Sequence, residues 1–300
     1  MERRDKTGIR VRLAAAAALG LALTLTGALV AAQGRGGPPA PTPTPRALEP
    51  ENVDLSGYWV AIVNEDWRWR MVTPPPGDFG SLPLTDEGRK VGNQWTPAQD
   101  GSCKAYGMAG LMRMPTRLHI TWVEDDVLQI ETDAGSQTRR LYFNAAEAPR
   151  RPSPQGRSIA AWVSTSGGLG LPVIVGPGGA SVGTAAAAPG AAAPGAAAPG
   201  AAAPGPPKPV PFGYLRVTTD SLTAGWLRRN GAPYSDRTTV EEHFENFEST
   251  DKSQWLAVTQ IIKDPLYING EHVVSPHFRR EAGPDGPRPA NWNPTPCRAG

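Results

Sequence analysis

Metal-binding and redox side chains are scarce: the chain of 300 residues holds two cysteines and four histidines. Cys103 and Cys297 have no further Cys or His beside them, so they lack the ligand set of a structural zinc site. His119 and His243 fall on the polar parity of their expected strands. His272 and His277 are five apart, which on an extended strand sends them to opposite faces. No metal and no cofactor is expected. Catalytic signatures are missing too: no Gly-x-Ser-x-Gly, phosphate loop, dinucleotide fingerprint or His-Glu-x-x-His occurs. Ser235-Asp236 with His243 could be forced into a triad, but triads are defined by geometry and not by order, so no catalytic residue is assigned.

Long apolar runs are limited to one, Leu13 to Val30. It follows a basic start (Arg3, Arg4, Lys6, Arg10, Arg12) and leads into the small residues Ala31-Ala32. The run is diluted by Ala and Gly and close to the minimum spanning length of about 17 residues. Residues 1–32 therefore read as a cleaved signal peptide, with a membrane anchor as the rival, and the protein as exported, periplasmic or extracellular. No Cys follows the run, which excludes lipid attachment there. Cleavage would remove five basic and two acidic residues and take the formal charge from +2 to −1. A near-neutral chain has no electrostatic footprint for nucleic acid or an anionic membrane. In an exported protein the two cysteines are expected to pair, with two free thiols as the alternative. The loop-entropy model gives about 5 kcal/mol for so long a loop, as an upper figure.

Glycine and proline, 34 and 33 residues, are concentrated in two stretches. Residues 33–50 form a Pro-rich spacer. Residues 164–211 carry Ala-Ala-Ala-Pro-Gly repeats ending at Gly190, Gly195, Gly200 and Gly205. Proline every fifth residue prevents a continuous helix, and Ala and Gly bury too little area to offset ordering entropy, so a disordered insertion is expected. The folded part is then residues 51–163 and 212–297 of a single domain.

Within it, Arg117 to Phe143 alternates with a period of two: Leu118, Ile120 and Trp122, then Leu128 and Ile130. Two short polar breaks separate the segments, the second holding Gly135, which predicts a three-stranded meander. Further strands are expected at 54–63, 156–163, 214–219, 238–247 and 255–263, with a last edge strand at His272–Arg280. A short helix is expected over 84–95 with Thr85 as its N-cap. This predicts an all-β fold: a single up-and-down, lipocalin-like β-barrel or a strongly curved antiparallel sheet, with a β-sandwich as the alternative. An eight-stranded barrel can hold one small ligand in its interior.

Several segments carry a resemblance: Cys103-Lys104-Ala105-Tyr106-Gly107, Arg139-Arg140-Leu141-Tyr142-Phe143, Ser158-Ile159-x-x-Trp162, Arg228-Arg229-Asn230-Gly231-x-Pro233, Val240-Glu241-Glu242-His243-Phe244 and Lys263-Asp264-Pro265. In this order they resemble a family of exported, predominantly β bacterial proteins of unassigned function, lipocalin-like in outline. The resemblance implies a fold and a compartment and no activity.

Glu242 shares strand parity with Val240 and Phe244, which puts a carboxylate on the apolar face, where it needs a partner or a proton. Arg140 or Arg139 could supply the partner. The pair could orient a ligand or serve as acid or base; the plainer reading is a buried ion pair. Trp59, Trp122, Trp162 and Trp255 lie in expected strands and read as core. Trp67, Trp69, Trp95, Trp226 and Trp292 lie in loops, where they could meet a ligand at a barrel mouth or merely cap the barrel. The leading expectation is a non-catalytic module binding a small apolar ligand, with Trp67 and Trp69 near the mouth and Glu242 and Arg140 inside. The alternatives are a protein-interaction or structural module, whose partner the sequence does not identify, and an envelope enzyme using Glu242.

Overall fold

The computed structural model describes residues 44–49, 53–165, 172–175, 181–182 and 213–299. The expected signal peptide, most of the spacer and most of the Ala-Pro-Gly insertion lie outside the described residues. Among the described residues nine strands form a barrel: β1 (Gly57–Ile62), β2 (Arg117–Glu124), β3 (Val127–Thr132), β4 (Thr138–Tyr142), β5 (Arg157–Thr165), β6 (Gly213–Asp220), β7 (Thr239–Glu248), β8 (Gln254–Lys263) and β9 (His277–Ala282). Each pairs with its sequence neighbours, and β9 pairs back onto β1, so the sheet closes into a barrel.

The expectation of a strictly up-and-down barrel needs correcting. Eight of the nine pairings are antiparallel, but β4 and β5 run parallel, through Leu141–Ser158 and Tyr142–Ile159. The reason is parity: an odd number of alternating strands cannot close without one pair running the same way. Residues 143–156 cross from one end of the barrel to the other to make that seam. The expected edge strand His272–Arg280 is also corrected. It is interrupted before Pro276, which offers no N–H to a ladder. His272–Val274 pairs with β8, and β9 fills the place between β8 and β1 instead of forming an edge.

Alternation assigns the interior, as expected. Trp59 (β1), Leu118 and Ile120 (β2), Leu128 and Ile130 (β3), Leu141 (β4), Ala160 and Trp162 (β5), Leu215 and Val217 (β6), Phe244 (β7), Leu256 and Val258 (β8) and Phe278 (β9) form one continuous core. The β2–β3 reversal uses Asp125-Asp126. The β3–β4 reversal uses Gly135 at φ +72°, a left-handed conformation that favours glycine. Trp255 is an exception among the expected core tryptophans. It precedes the inward Leu256, so it points outward, half-exposed, and donates its indole N–H to Ser253 Oγ at 2.7 Å.

Both ends are stoppered. At one end residues 44–49 and 53–56 lie across the opening: the buried Trp162 indole donates to the Pro45 carbonyl at 2.9 Å, and Val53 and Leu55 are fully buried. The last residues of the expected spacer thus join the core. Strand pairing likewise continues past residue 163, where Pro172–Val175 pairs with the end of β5. At the other end the long β1–β2 connection packs with residues 221–238 and 264–276. It carries helices α1 (Trp67–Met71), α2 (Asp86–Gly92) and α3 (Met108–Leu111). Thr85 caps α2 as expected, accepting the Gly88 N–H at 3.0 Å. Phe79, Leu84, Met108, Leu227, Tyr234 and Ile268 make a second core there, against Val240 and Ile262 of the barrel wall. Cys103 and Cys297 form a disulfide, Cα–Cα 4.9 Å, that ties the C-terminal tail to this plug. No described helix is long and apolar enough to cross a membrane.

Candidate functional site

The barrel carries one polar layer, built from one side chain on each of five consecutive strands: Arg139, Ser158, Thr219, Glu242 and Gln260. Glu242 is fully buried, as the strand parity predicts, and its partner is Arg139. Arg139 donates through Nη2 to Glu242 Oε2 and to Thr219 Oγ1 (2.9 Å), and through Nε to Ser158 Oγ (3.0 Å). Gln260 Nε2 donates to the other Glu242 oxygen at 3.0 Å. The layer bridges the parallel β4–β5 seam, where only two residue pairs are in register. Arg140 is not inside. Arg139 shares a face with the buried Leu141, so Arg140 points outward, where it donates to Gln129 Oε1 at 3.2 Å.

This geometry satisfies the polar layer largely from within the chain. Among the described residues the space beside Arg139 is a void of about 10 Å³, lined by Met108, Ile130 and Gln155 among others. That is about one water molecule. Both Glu242 oxygens accept hydrogen bonds from buried donors, Arg139 on one side and Gln260 on the other.

Outside the barrel wall, at the plugged end, the chain does something the sequence did not announce. Arg70, Arg113 and Arg228 converge there, each at most 5 % exposed. A left-handed Asp66 (φ 48°) begins α1, and its carbonyl accepts the N–H groups of Trp69 (2.9 Å) and Arg70 (3.1 Å). Five residues of helix then turn Arg70 inward and leave Trp67 and Met71, one turn apart, facing out. Arg70 Nε donates to the Arg113 carbonyl (2.7 Å), Arg113 Nη2 to Asp66 Oδ2 (2.6 Å) and Arg228 Nη1 to the Phe79 carbonyl. Trp69 stands beside them, half-buried. Its indole donates to Asp78 Oδ1 at 3.0 Å, and the Arg68 and Arg228 guanidinium carbons lie 5.3 and 5.4 Å from its ring centre. Arg229 is engaged separately, in a two-bond fork to Asp100 at 3.0 Å each.

Burial and mutual repulsion tax these cations. Arg228 is pulled down to about 10 by burial and by the neighbouring Arg113 charge, and Arg70 and Arg113 are lowered by burial. His272, in the strand on β8, falls to about 4 through burial, with Arg113 and Arg228 adding to it. In the unfolded chain it titrates near 6.5. Above that pH both states are neutral and the residue is indifferent. Between 6.5 and 4 only the unfolded chain takes the proton, and stability falls by on the order of 3 kcal/mol. Denaturant midpoints of wild type and His272→Asn should therefore converge as pH drops across this window, and the His272 Hε1 resonance should stay fixed from pH 8 to 5.

Sequence reasoning placed Trp67 and Trp69 at a barrel mouth. They are at an end of the barrel, on the outer side of its plug, with Trp67 69 % exposed. Trp95 and Trp226 are buried within the plug. Reasoning from sequence missed Arg70, Arg113 and Arg228. The signal present was arginine interleaved with tryptophan over Trp67–Arg70 and the doublet Arg228-Arg229. Their convergence depends on pairings across some 45 and 160 residues, which no local pattern encodes. Comparison with protein-family models, with curated proteins and with solved structures finds no match to this chain.

Proposed function

We propose that the protein is an exported, non-catalytic binding module, and that its small, largely apolar ligand is held at the plugged end of the barrel and not within it. The observation that carries this is the α1 surface. Trp67 and Met71, 69 and 54 % exposed, sit on the element that also presents the pinned Trp69, and Val72, 60 % exposed, follows directly after it. Monomeric proteins rarely leave large apolar side chains clustered at the surface without a use for them. The disulfide and the apolar N-terminal run support export. The packed barrel interior argues for placing the ligand outside it.

Native mass spectrometry of the mature protein, taken from its own envelope or secreted fraction, tests this against the denatured mass. The expected result is an extra non-covalent mass of small-molecule size that Trp67→Ala loses while keeping its fold. A bare native mass would overturn the reading. It would leave the α1 surface to a protein partner, the second reading that the same exposed side chains favour.

A further inference from the structure

We propose that the crevice between Arg70, Arg113 and Arg228 is a carboxylate-binding site, and that the ligand of the plugged end carries a carboxylate there; the second half of this rests on the binding-module reading above.

The three guanidinium groups bear more donors than the protein uses. Arg70 Nη1 and Nη2, Arg113 Nε, and Arg228 Nε and Nη2 are buried, and none meets a hydrogen-bond acceptor among the described residues. A donor buried without an acceptor forfeits its hydration for nothing, and the loss is greatest when the group is charged. Evolution of a merely structural plug would place apolar side chains there at lower cost. The counter-charge on hand is short of balance. Asp66 bonds Arg113 and stands 4.0 Å from Arg228, and Glu65 stands 3.9 Å from Arg70. The other nearby acids, Asp78 and Asp100, are engaged by Arg68 and Arg229. Of the three buried cations only Arg113 has a hydrogen-bonded carboxylate, Asp66; Glu65 and Asp66 stand at the edge of ion-pair distance from Arg70 and Arg228, and Asp78, which also acts on Arg228, is bonded to Arg68 and Trp69.

The crevice holds about 20 Å³ of free space and is floored by Trp69, Met114 and Leu227. That is little more than one water, so a tetrahedral phosphate is excluded and a flat two-oxygen group would enter only as the half-buried Trp69 side chain gives way. Arginine forks match such a group bidentately. The apolar floor and the Trp69 face would take the carbon attached to it, and Trp67 and Met71 lie one helical turn apart on the same short helix, where a longer apolar body could continue.

The test needs no knowledge of that body. Folded protein labelled with 15N gives Nε–Hε resonances for its buried arginines. Acetate, exchanged for chloride at constant ionic strength, is expected to shift the Arg113 and Arg228 signals saturably. Sulfate at the same ionic strength is expected to leave them in place. Arg70→Lys keeps the charge and loses the fork, and should weaken the acetate response about ten-fold. If that variant fails to fold, Trp69→Phe, which keeps an aromatic face but loses the indole N–H bond to Asp78 and part of the ring area, should fold and retain the shift. No saturable acetate shift, or an equal response to sulfate, overturns the carboxylate assignment. The two readings fail separately. A neutral molecule in the native mass with acetate inert would sink the carboxylate site alone. A saturable acetate response with a bare native mass would sink the binding module alone.

Discussion

Glu242→Ala is expected to destabilise the fold by about 3–5 kcal/mol, since it strands the Arg139 guanidinium inside the barrel without its counter-charge. For a folded part of this size each kcal/mol corresponds to about 2–4 °C in Tm, so the melting point should fall by about 6–20 °C. The loss is more than a charge. Arg139 holds Ser158 and Thr219 as well as Glu242, and these residues clamp the one parallel seam of the barrel. The informative partner is the double variant Arg139→Met/Glu242→Leu, which replaces both ions by apolar groups of similar volume. It should recover most of the lost stability, because a buried ion pair is costly to break and cheap to replace. Urea unfolding of the two single variants and the double completes a cycle. Additive losses would show that the two residues do not act as a unit.

Cys297→Ser is the second large effect. The bridge closes a loop with a sequence separation of 194, so its loss frees a large part of the unfolded chain. The upper figure of about 5 kcal/mol is expected to be met only in part, with measured losses of about 2–5 kcal/mol for such bonds. Native contacts would persist near the cut: the Cys103 N–H donates to the Arg298 carbonyl at 3.0 Å, the Arg298 N–H to the Gly101 carbonyl at 2.9 Å, and Thr295–Pro296 pairs in parallel with Ala134–Gly135. The variant should therefore fold, melt lower, and respond no further to reductant. Thermal melts of wild type with and without reductant should differ by the same amount. A wild-type Tm indifferent to reductant would show that the tail's backbone contacts alone hold the plug.

How far the sequence foretold this follows from the range of each interaction. Strand alternation is local, so the meander, the inward Glu242 and the capped α2 were legible, and Arg139 could be named with Arg140 as its rival. Choosing between two adjacent arginines needs the exact phase of β4, which Leu141 sets and the sequence-only reading did not press. The odd barrel was hidden because His272–Arg280 read as an edge strand outside it; Pro276 divides that segment, and its second half is the ninth strand that closes the ring. Arg70 and Arg228 are separated by most of the barrel in sequence. They meet only because residues 63–116 and 221–238 plug the same end, and that is a property of topology.

The pairing of β1 with β9 has a kinetic side. Tyr58 lies opposite Ala282 and Ile62 opposite His277, more than 200 residues apart in the chain. Hairpins such as β2–β3 and β7–β8 join neighbours at little entropic expense, whereas ring closure must bring together the most distant strands. The contact order is therefore high, and folding of the barrel belongs in the millisecond-to-second range and not the microsecond range of helical bundles. Until β9 arrives, β1 has a bare edge. The intermediate most exposed to misassociation is a nearly complete sheet that lacks only its last strand.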